Sequence, residues 1–202
     1  MTTYTFPSIT PSSNTFELVT NTRTFQSPLT NSVQTVARKG SLWKATLQFN
    51  NLTGDDRAEM QAFLTKLNGQ QHRFYVQDHG FVRRGNAPAV SDAIVVNGAG
   101  QTGSTLNVRD ANLTVTDYFK AGDYIAFNNE LHMVTAACSS TGTGTIAIPI
   151  APPIRKPTDD GDAIDYLYPV LGVFMLAGST SWDTQAGRVS NFTIEAVEDV
   201  LA

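Results

Sequence analysis

One cysteine, Cys138, in 202 residues excludes an intramolecular disulfide, so the fold has to hold by packing alone. Charge is scarce as well. Asp, Glu, Lys and Arg make up 16% of the chain, below the roughly one quarter usual for soluble domains. Thr, Ser, Asn and Gln take their place, which suits sheet surfaces and polar subunit contacts better than a helical enzyme. The formal net charge is −4. No basic face of the kind that grips phosphates is visible. The densest basic spots, Arg38-Lys39 and Arg83-Arg84, read as ordinary loop solubility. No apolar run approaches the ~20 residues a membrane span needs. The start, Met1-Thr2-Thr3-Tyr4-Thr5, lacks the basic and apolar regions of a signal peptide. The expectation is a soluble protein made in a cytoplasm, for which the sequons at Asn51, Asn112 and Asn191 carry no meaning.

The strings of common catalytic machinery are missing too. There is no G-x-S-x-G elbow, no P-loop, and no carboxylate pair that stands apart from ordinary surface acids. His72, His79 and His132 have no metal-ligand spacing. Cys138 has no activating neighbour and reads as a small, partly buried residue. Gly98-x-Gly100-x-x-Gly103 matches the dinucleotide fingerprint as a string, but that mechanism needs a helix to open at the third glycine. Here Ser104–Val108 follows and reads as strand, so the glycines mark a connection. Asp159-Asp160-Gly161-Asp162 is too compact for a calcium loop and has no closing glutamate. The expectation is therefore a non-enzyme with no catalytic residue, no cofactor and no metal.

What the sequence does contain is strand periodicity. Residues 1–14 read as an extended arm, broken by Pro7 and Pro11 and carrying Tyr4, Phe6 and Ile9 as apolar anchors. A strand follows around Phe16 and Leu18. Asn21–Asn31 is irregular, with Arg23, Phe25 and Leu29 embedded, and a strand is expected over Val33–Arg38. Over Leu42–Phe49, Trp43, Ala45, Leu47 and Phe49 alternate with Lys44, Thr46 and Gln48, the pattern of a sheet wet on one side. One helix is expected over about 53–67. Thr53 suits its N-cap, Asp55 and Asp56 its first turn, Met60, Phe63, Leu64 and Leu67 its buried stripe, and Asn68-Gly69 its stop. Phe74–Val76 begins another strand.

Past Pro88 the pattern changes to short strands between Gly, Asn and Asp. They are expected at Ala93–Val96, Thr105–Val108, Asp123–Phe127, Glu130–Ala136, Thr145–Ile150 and Ala163–Tyr166, with a two-residue turn at Asn128-Asn129. That spacing predicts a small barrel of the OB type or a small sandwich. After Pro169 the chain reverts to the character of its N-terminal part, with strands over Gly172–Leu176 and around Val189–Val197. The fold class expected is mainly β: an N-terminal β-sandwich-like domain with one helix, completed by C-terminal strands and interrupted by an inserted small β-barrel. The domains expected are 1–90 with 169–202, and 91–168.

Two stretches carry a resemblance. Trp43-Lys44-Ala45-Thr46-Leu47, leading through Ala62–Gly69 to Arg73-Phe74-Tyr75-Val76, resembles the ring-forming domain of phage distal tail proteins. Lys120-Ala121-Gly122-Asp123-Tyr124-Ile125, Glu130–Val134 and Ile148–Arg155 are similar to the tail sequences that follow it. The resemblance implies a structural virion protein of the tail tip. Such a protein forms a ring, usually hexameric, that joins the tail tube to the tip or baseplate complex and leaves a channel through which DNA passes without specific binding. Its partners would be copies of itself, the tail tube protein and the tip hub protein. A cyclic ring uses different patches on the two sides of each subunit, and apolar anchors in polar segments make Tyr4, Phe6, Arg23, Phe25 and Leu29 the subunit-contact candidates. The alternative is a carbohydrate- or receptor-binding module that would present Tyr118, Phe119 and Tyr166 on an external face.

Overall fold

In the computed structural model, all residues are described except 39, 89–93, 112, 143, 168–169 and 200–202. The first elements in chain order are β1 (Thr3–Tyr4), β2 (Ser13–Val19), β3 (Thr22–Gln26), β4 (Val33–Ala37), β5 (Leu42–Leu52), α1 (Gly54–Leu67) and β6 (Arg73–Val76). Then follow β7 (Val95–Val96), β8 (Gly103–Ala111), β9 (Thr114–Phe119), β10 (Tyr124–Phe127), β11 (Glu130–Val134), β12 (Cys138–Thr141) and β13 (Gly144–Ile154). The chain closes with β14 (Gly172–Leu176), β15 (Trp182–Gln185) and β16 (Val189–Glu198). The protein is mainly β, with one helix among the described residues.

Seven strands form the first sheet, in the order β1-β6-β14-β16-β5-β2 with β15 beside β16. Its central strand, β16, comes from the far end of the sequence. The alternation in β5 places Trp43, Ala45, Leu47 and Phe49 in the core, and Ala196, Ile194 and Phe192 of β16 lie opposite the last three. On that face packs α1, through Met60, Phe63, Leu64 and Leu67. Thr53 sits in extended conformation before it, and Asn68 turns left-handed (φ 48°) to end it, a geometry Asn tolerates better than most residues.

The first residues do not hang free. β1 adds to β6 in parallel, Tyr4 opposite Phe74. This drops Phe6 among Phe49, Phe63 and Phe74, with ring centroids 5.7, 5.0 and 5.9 Å away. Tyr4 packs edge-on to His72, and the Lys66 ammonium lies 4.1 Å above its ring. Tyr4 and Phe6, expected at a subunit contact, pack half-buried against their own sheet, and Phe6 also lines a groove on the surface. The reason is area: an aromatic side chain gains roughly 1.5–3 kcal/mol by leaving water, and the sheet beside β6 offers that burial within the same chain.

The second core belongs to residues 87–166. Strands β10-β11-β13-β8-β7 form one sheet, and β12 pairs with β9. The sheet's two edges are both met by one segment, through bridges Val95–Ala163 and Ala126–Asp165, so the sheet curls into a barrel. The turn at Asn128-Asn129 has φ of 50° and 63° and joins Phe127 to Glu130, as a two-residue hairpin of the primed type requires. Where a strand was expected over Ala163–Tyr166, these single bridges stand instead. The boundaries placed at 90/91 and 168/169 lie outside the described residues, as does Ala93. Gly98, Gly100 and Gly103 have φ of 93°, 74° and 92° and join β7 to β8. The Gln101 side chain ties that connection together by donating to the carbonyls of Asn97 and Asn107.

Two departures from the expected pattern have local causes. Asn21–Asn31, read as irregular, contains β3: its polar residues alternate without an apolar face, so no periodicity betrays the strand. β9 reaches Phe119 through a bulge. Phe119 lies four positions after Val115, while their partners Cys138 and Ser140 lie two positions apart, and Asp117 takes a φ of 53°. Adjacent residues of a regular strand point to opposite faces; here Tyr118 and Phe119 are both fully buried.

Candidate functional site

The ladder between β2 and β5 runs from Ser13–Gln48 to Val19–Leu42. Beyond that end the same two chain segments continue outward as a second ladder, β3 with β4. Gly40, at φ 112°, marks the break between them, and the Arg38 amide donates to the Asn21 carbonyl across it. The outer ladder is therefore a hairpin at the tip of a ribbon. Every β3 residue is exposed, and no described hairpin side chain joins either core. Arg23 and Phe25 share one face with Val36 and Gln34; Val33 lies on the other. The turn is closed by the Ser27 amide on the Ser32 carbonyl and by Asn31 at φ 53°.

This hairpin concentrates apolar surface. Five of the ten large apolar side chains exposed among the described residues fall within it or at its root: Val19, Phe25, Leu29, Val33 and Val36. Leu29, at the apex, is 94% exposed. A two-stranded hairpin is at best marginal in water, and exposed apolar strand edges are surfaces that proteins normally blunt or cover. Arg23, Phe25 and Leu29 are thus brought together on one projection. Val33 and Val36 were missed as site residues, because without the pairing register nothing in the sequence links them to Arg23 and Phe25.

A second feature is a groove of about 550 Å³ bordered by the arm 5–10, by Tyr75–Gln77, and by Leu47, His79 and Leu171. Its walls are largely apolar, with Phe6, Pro7, Ile9, Tyr75, Val76 and Leu171 contributing. Burial pushes the His79 imidazole below its ordinary range, against the opposing pull of Asp78. Asp78 accepts from Asn14 at 2.6 Å and from the Gly80 amide at 2.9 Å, fixing the loop beside the groove.

The densest cluster of titratable groups lies between the two cores. Arg155 donates to both oxygens of Glu198 at 2.8 Å and to the Ser41 carbonyl at 2.7 Å. Glu198 also accepts from the amides of Trp43 and Leu131, at 3.0 and 2.7 Å. Trp43 donates its indole N–H to the Leu131 carbonyl at 2.8 Å. Glu130 accepts from the amides of Arg155 and Lys156. His132 Nδ1 donates to the Pro152 carbonyl at 2.8 Å, and its ring stacks on Phe127. Burial works to raise the Glu130 carboxyl. The His132 hydrogen bond, the Arg155 charge and the Arg155 amide outweigh it and hold Glu130 below the usual carboxylate range. These groups are sealed, and the carboxylates face backbone amides and a guanidinium. The arrangement fastens β11 and β13 to β5 and β16 and leaves no face open to a substrate.

Other candidates resolve as structural. Tyr118, Phe119 and Tyr166 pack against one another, with centroids 5.1–6.5 Å apart, inside the barrel. Expected on an external face, they are core residues, because the β9 bulge turns both neighbours inward. Burial raises the Cys138 thiol, which keeps it protonated and a poor nucleophile. Asp160 binds the Gly98 amide at 2.7 Å and the Arg109 guanidinium, so the acidic turn clips two loops together. No group of three or more His, Cys, Asp or Glu among the described residues is placed to hold a metal. Comparison with family models and with curated proteins gives no match.

Proposed function

We propose that the chain is a structural subunit that works by assembling with copies of itself, in the manner of the distal tail proteins it resembles. It would form a ring, hexameric by that resemblance, joining the tail tube to the tip complex of a phage virion and leaving a channel for DNA. The observation that carries this reading is the projecting hairpin. It gathers four of the ten large apolar side chains exposed among the described residues, with Val19 a fifth at its root, onto a segment none of whose described side chains joins a core of its own chain. Such a surface gains its free energy by being covered, and a stable contact needs roughly 800 Å² from each partner. A ladder of two five-residue strands, with apolar side chains on both faces and at its apex, suits that demand. The net charge of −4 fits a conduit for DNA, since a basic bore would retain passing phosphates.

Mass measurement in solution, followed by negative-stain imaging, tests the proposal. The expected result is a closed ring with an open centre for the full chain, and a monomer when residues 22–37 are replaced by a short Gly-Ser linker. A full chain that stays monomeric at high concentration and in the presence of tail tube protein would count against it.

A further inference from the structure

We infer that the hairpin apex of one copy seats in the arm groove of the next, with Leu29 entering between the arm and Tyr75. This rests on the assembly reading above and names the surface that receives the hairpin. Three observations lead to it.

The first is topology. The arm that borders the groove ends three residues before β2 begins, and the hairpin starts three residues after β2 ends. A seven-residue strand is about 23 Å long, and the hairpin points onward from its far end. The apex of one copy therefore cannot fill its own groove, and the two surfaces lie on different parts of the subunit, as a head-to-tail contact requires.

The second is charge. Between Thr20 and Gly40 fall three of the 14 basic residues and none of the 18 acidic ones. Two hairpins meeting face to face would bring like charges together, whereas the groove lining carries no Lys or Arg to repel Arg23. This disfavours a symmetric hairpin-to-hairpin dimer and favours the contact between unlike surfaces.

The third is fit. The groove's volume of about 550 Å³ falls inside the roughly 300–1,000 Å³ typical of sites that enclose a ligand-sized group. Its walls are largely apolar, as Leu29 requires, with Thr5, Ser8, Thr10, Gln77 and His79 supplying the polar part. The flanking Thr30 and Ser32 hydroxyls bond each other at 2.9 Å, which keeps the apex compact for entry.

Disulfide trapping between differently substituted copies tests this. In a Cys138→Ala background, Leu29→Cys chains are mixed with Ser8→Cys chains, and separately with Ser179→Cys chains, under a mild oxidant. Ser8 lines the groove; Ser179 is exposed on a different loop. Leu29–Ser8 cross-linking is expected to exceed Leu29–Ser179 by about tenfold or more, reflecting the raised effective concentration of a seated apex. No excess over the Ser179 control, or Leu29–Leu29 cross-links as the main product, would overturn the inference. Leu29→Asp supplies a second measurement: it should abolish assembly while the chain stays folded, and unchanged assembly would also overturn it. If removing residues 22–37 abolishes assembly but the Leu29–Ser8 pair does not form, the groove inference fails and the proposed function stands. If removing the hairpin leaves assembly intact, the proposed function fails as well.

Discussion

At the scale of single residues, two positions show how little freedom the connections have. Asp123 is fully buried and accepts from the amides of Arg84, Gly85 and Lys120, at 2.7, 2.9 and 2.8 Å. That one carboxylate pins the segment before the barrel against the β9–β10 turn. Gly85 makes the approach possible: a Cβ there would lie 2.5 Å from the Tyr118 carbonyl oxygen and 2.6 Å from the Asp123 carboxylate. Gly85→Ala must push backbone apart and loosen buried hydrogen bonds. Its expected cost is roughly 2–4 kcal/mol, read as a lowered midpoint in chemical denaturation. Glu130 gives a pH signature. Its folded pKa lies below its unfolded value of about 4.3, so its stabilising contribution is fully present above that value. The contribution disappears as pH falls through the lower, folded value. Stability measured from about pH 6 down to about pH 2.5 should fall across that window, and Glu130→Gln should flatten that part of the curve.

At the scale of elements, legibility followed whether a face was buried. β5 and α1 were readable because one side of each is packed: Trp43, Ala45, Leu47 and Phe49 alternate, and Met60, Phe63, Leu64 and Leu67 repeat at helical spacing. β3 left no such trace, since both its faces meet solvent and Thr, Arg, Thr, Phe and Gln carry no period. Tyr118 and Phe119, both expected on an outer face, fail for a different reason: a regular strand would bury one of the two, and the bulge in β9 buries both. Tyr4 and Phe6 were recognisable as anchors, but their partner was settled by the parallel pairing of β1 with β6, a long-range contact that no local pattern reports. The hairpin's independence from both cores yields a further expectation. Replacing 22–37 with a short linker should leave the thermal midpoint of the monomer within a few degrees of the parent, because the segment buries little in its own chain. Phe6→Ala should cost about 1–3 kcal/mol by the same measurement, since the ring is half-buried against Phe49, Phe63 and Phe74.

At the scale of the whole molecule, the two cores are joined by a buried ionic network whose members come from residues 41–43, 130–132, 155–156 and 198. Nothing in the sequence announced it. Arg155 stood only as the last residue of the Ile148–Arg155 stretch, and Glu198 as one acid among many. Removing Arg155 leaves Glu198 charged and sealed, so Arg155→Met should destabilise by about 3–5 kcal/mol. Lys44→Met, which breaks the exposed 3.3 Å pair with Glu195, should cost less than about 1 kcal/mol. Chemical denaturation of the two variants side by side separates these cases.

The order of strands in the first sheet has a bearing on synthesis. β16 lies between β14 and β5, yet every other strand of that sheet is translated before it. A nascent chain therefore holds β5, with its row of Trp43, Leu47 and Phe49, beside a vacant lane until the whole barrel and then β16 have left the ribosome. Throughout that interval this long strand, apolar along one face, stands open to mispairing with a neighbouring polysome product. Yield in the cell should then depend on elongation speed and chaperone supply more steeply than the stability of the finished fold would suggest.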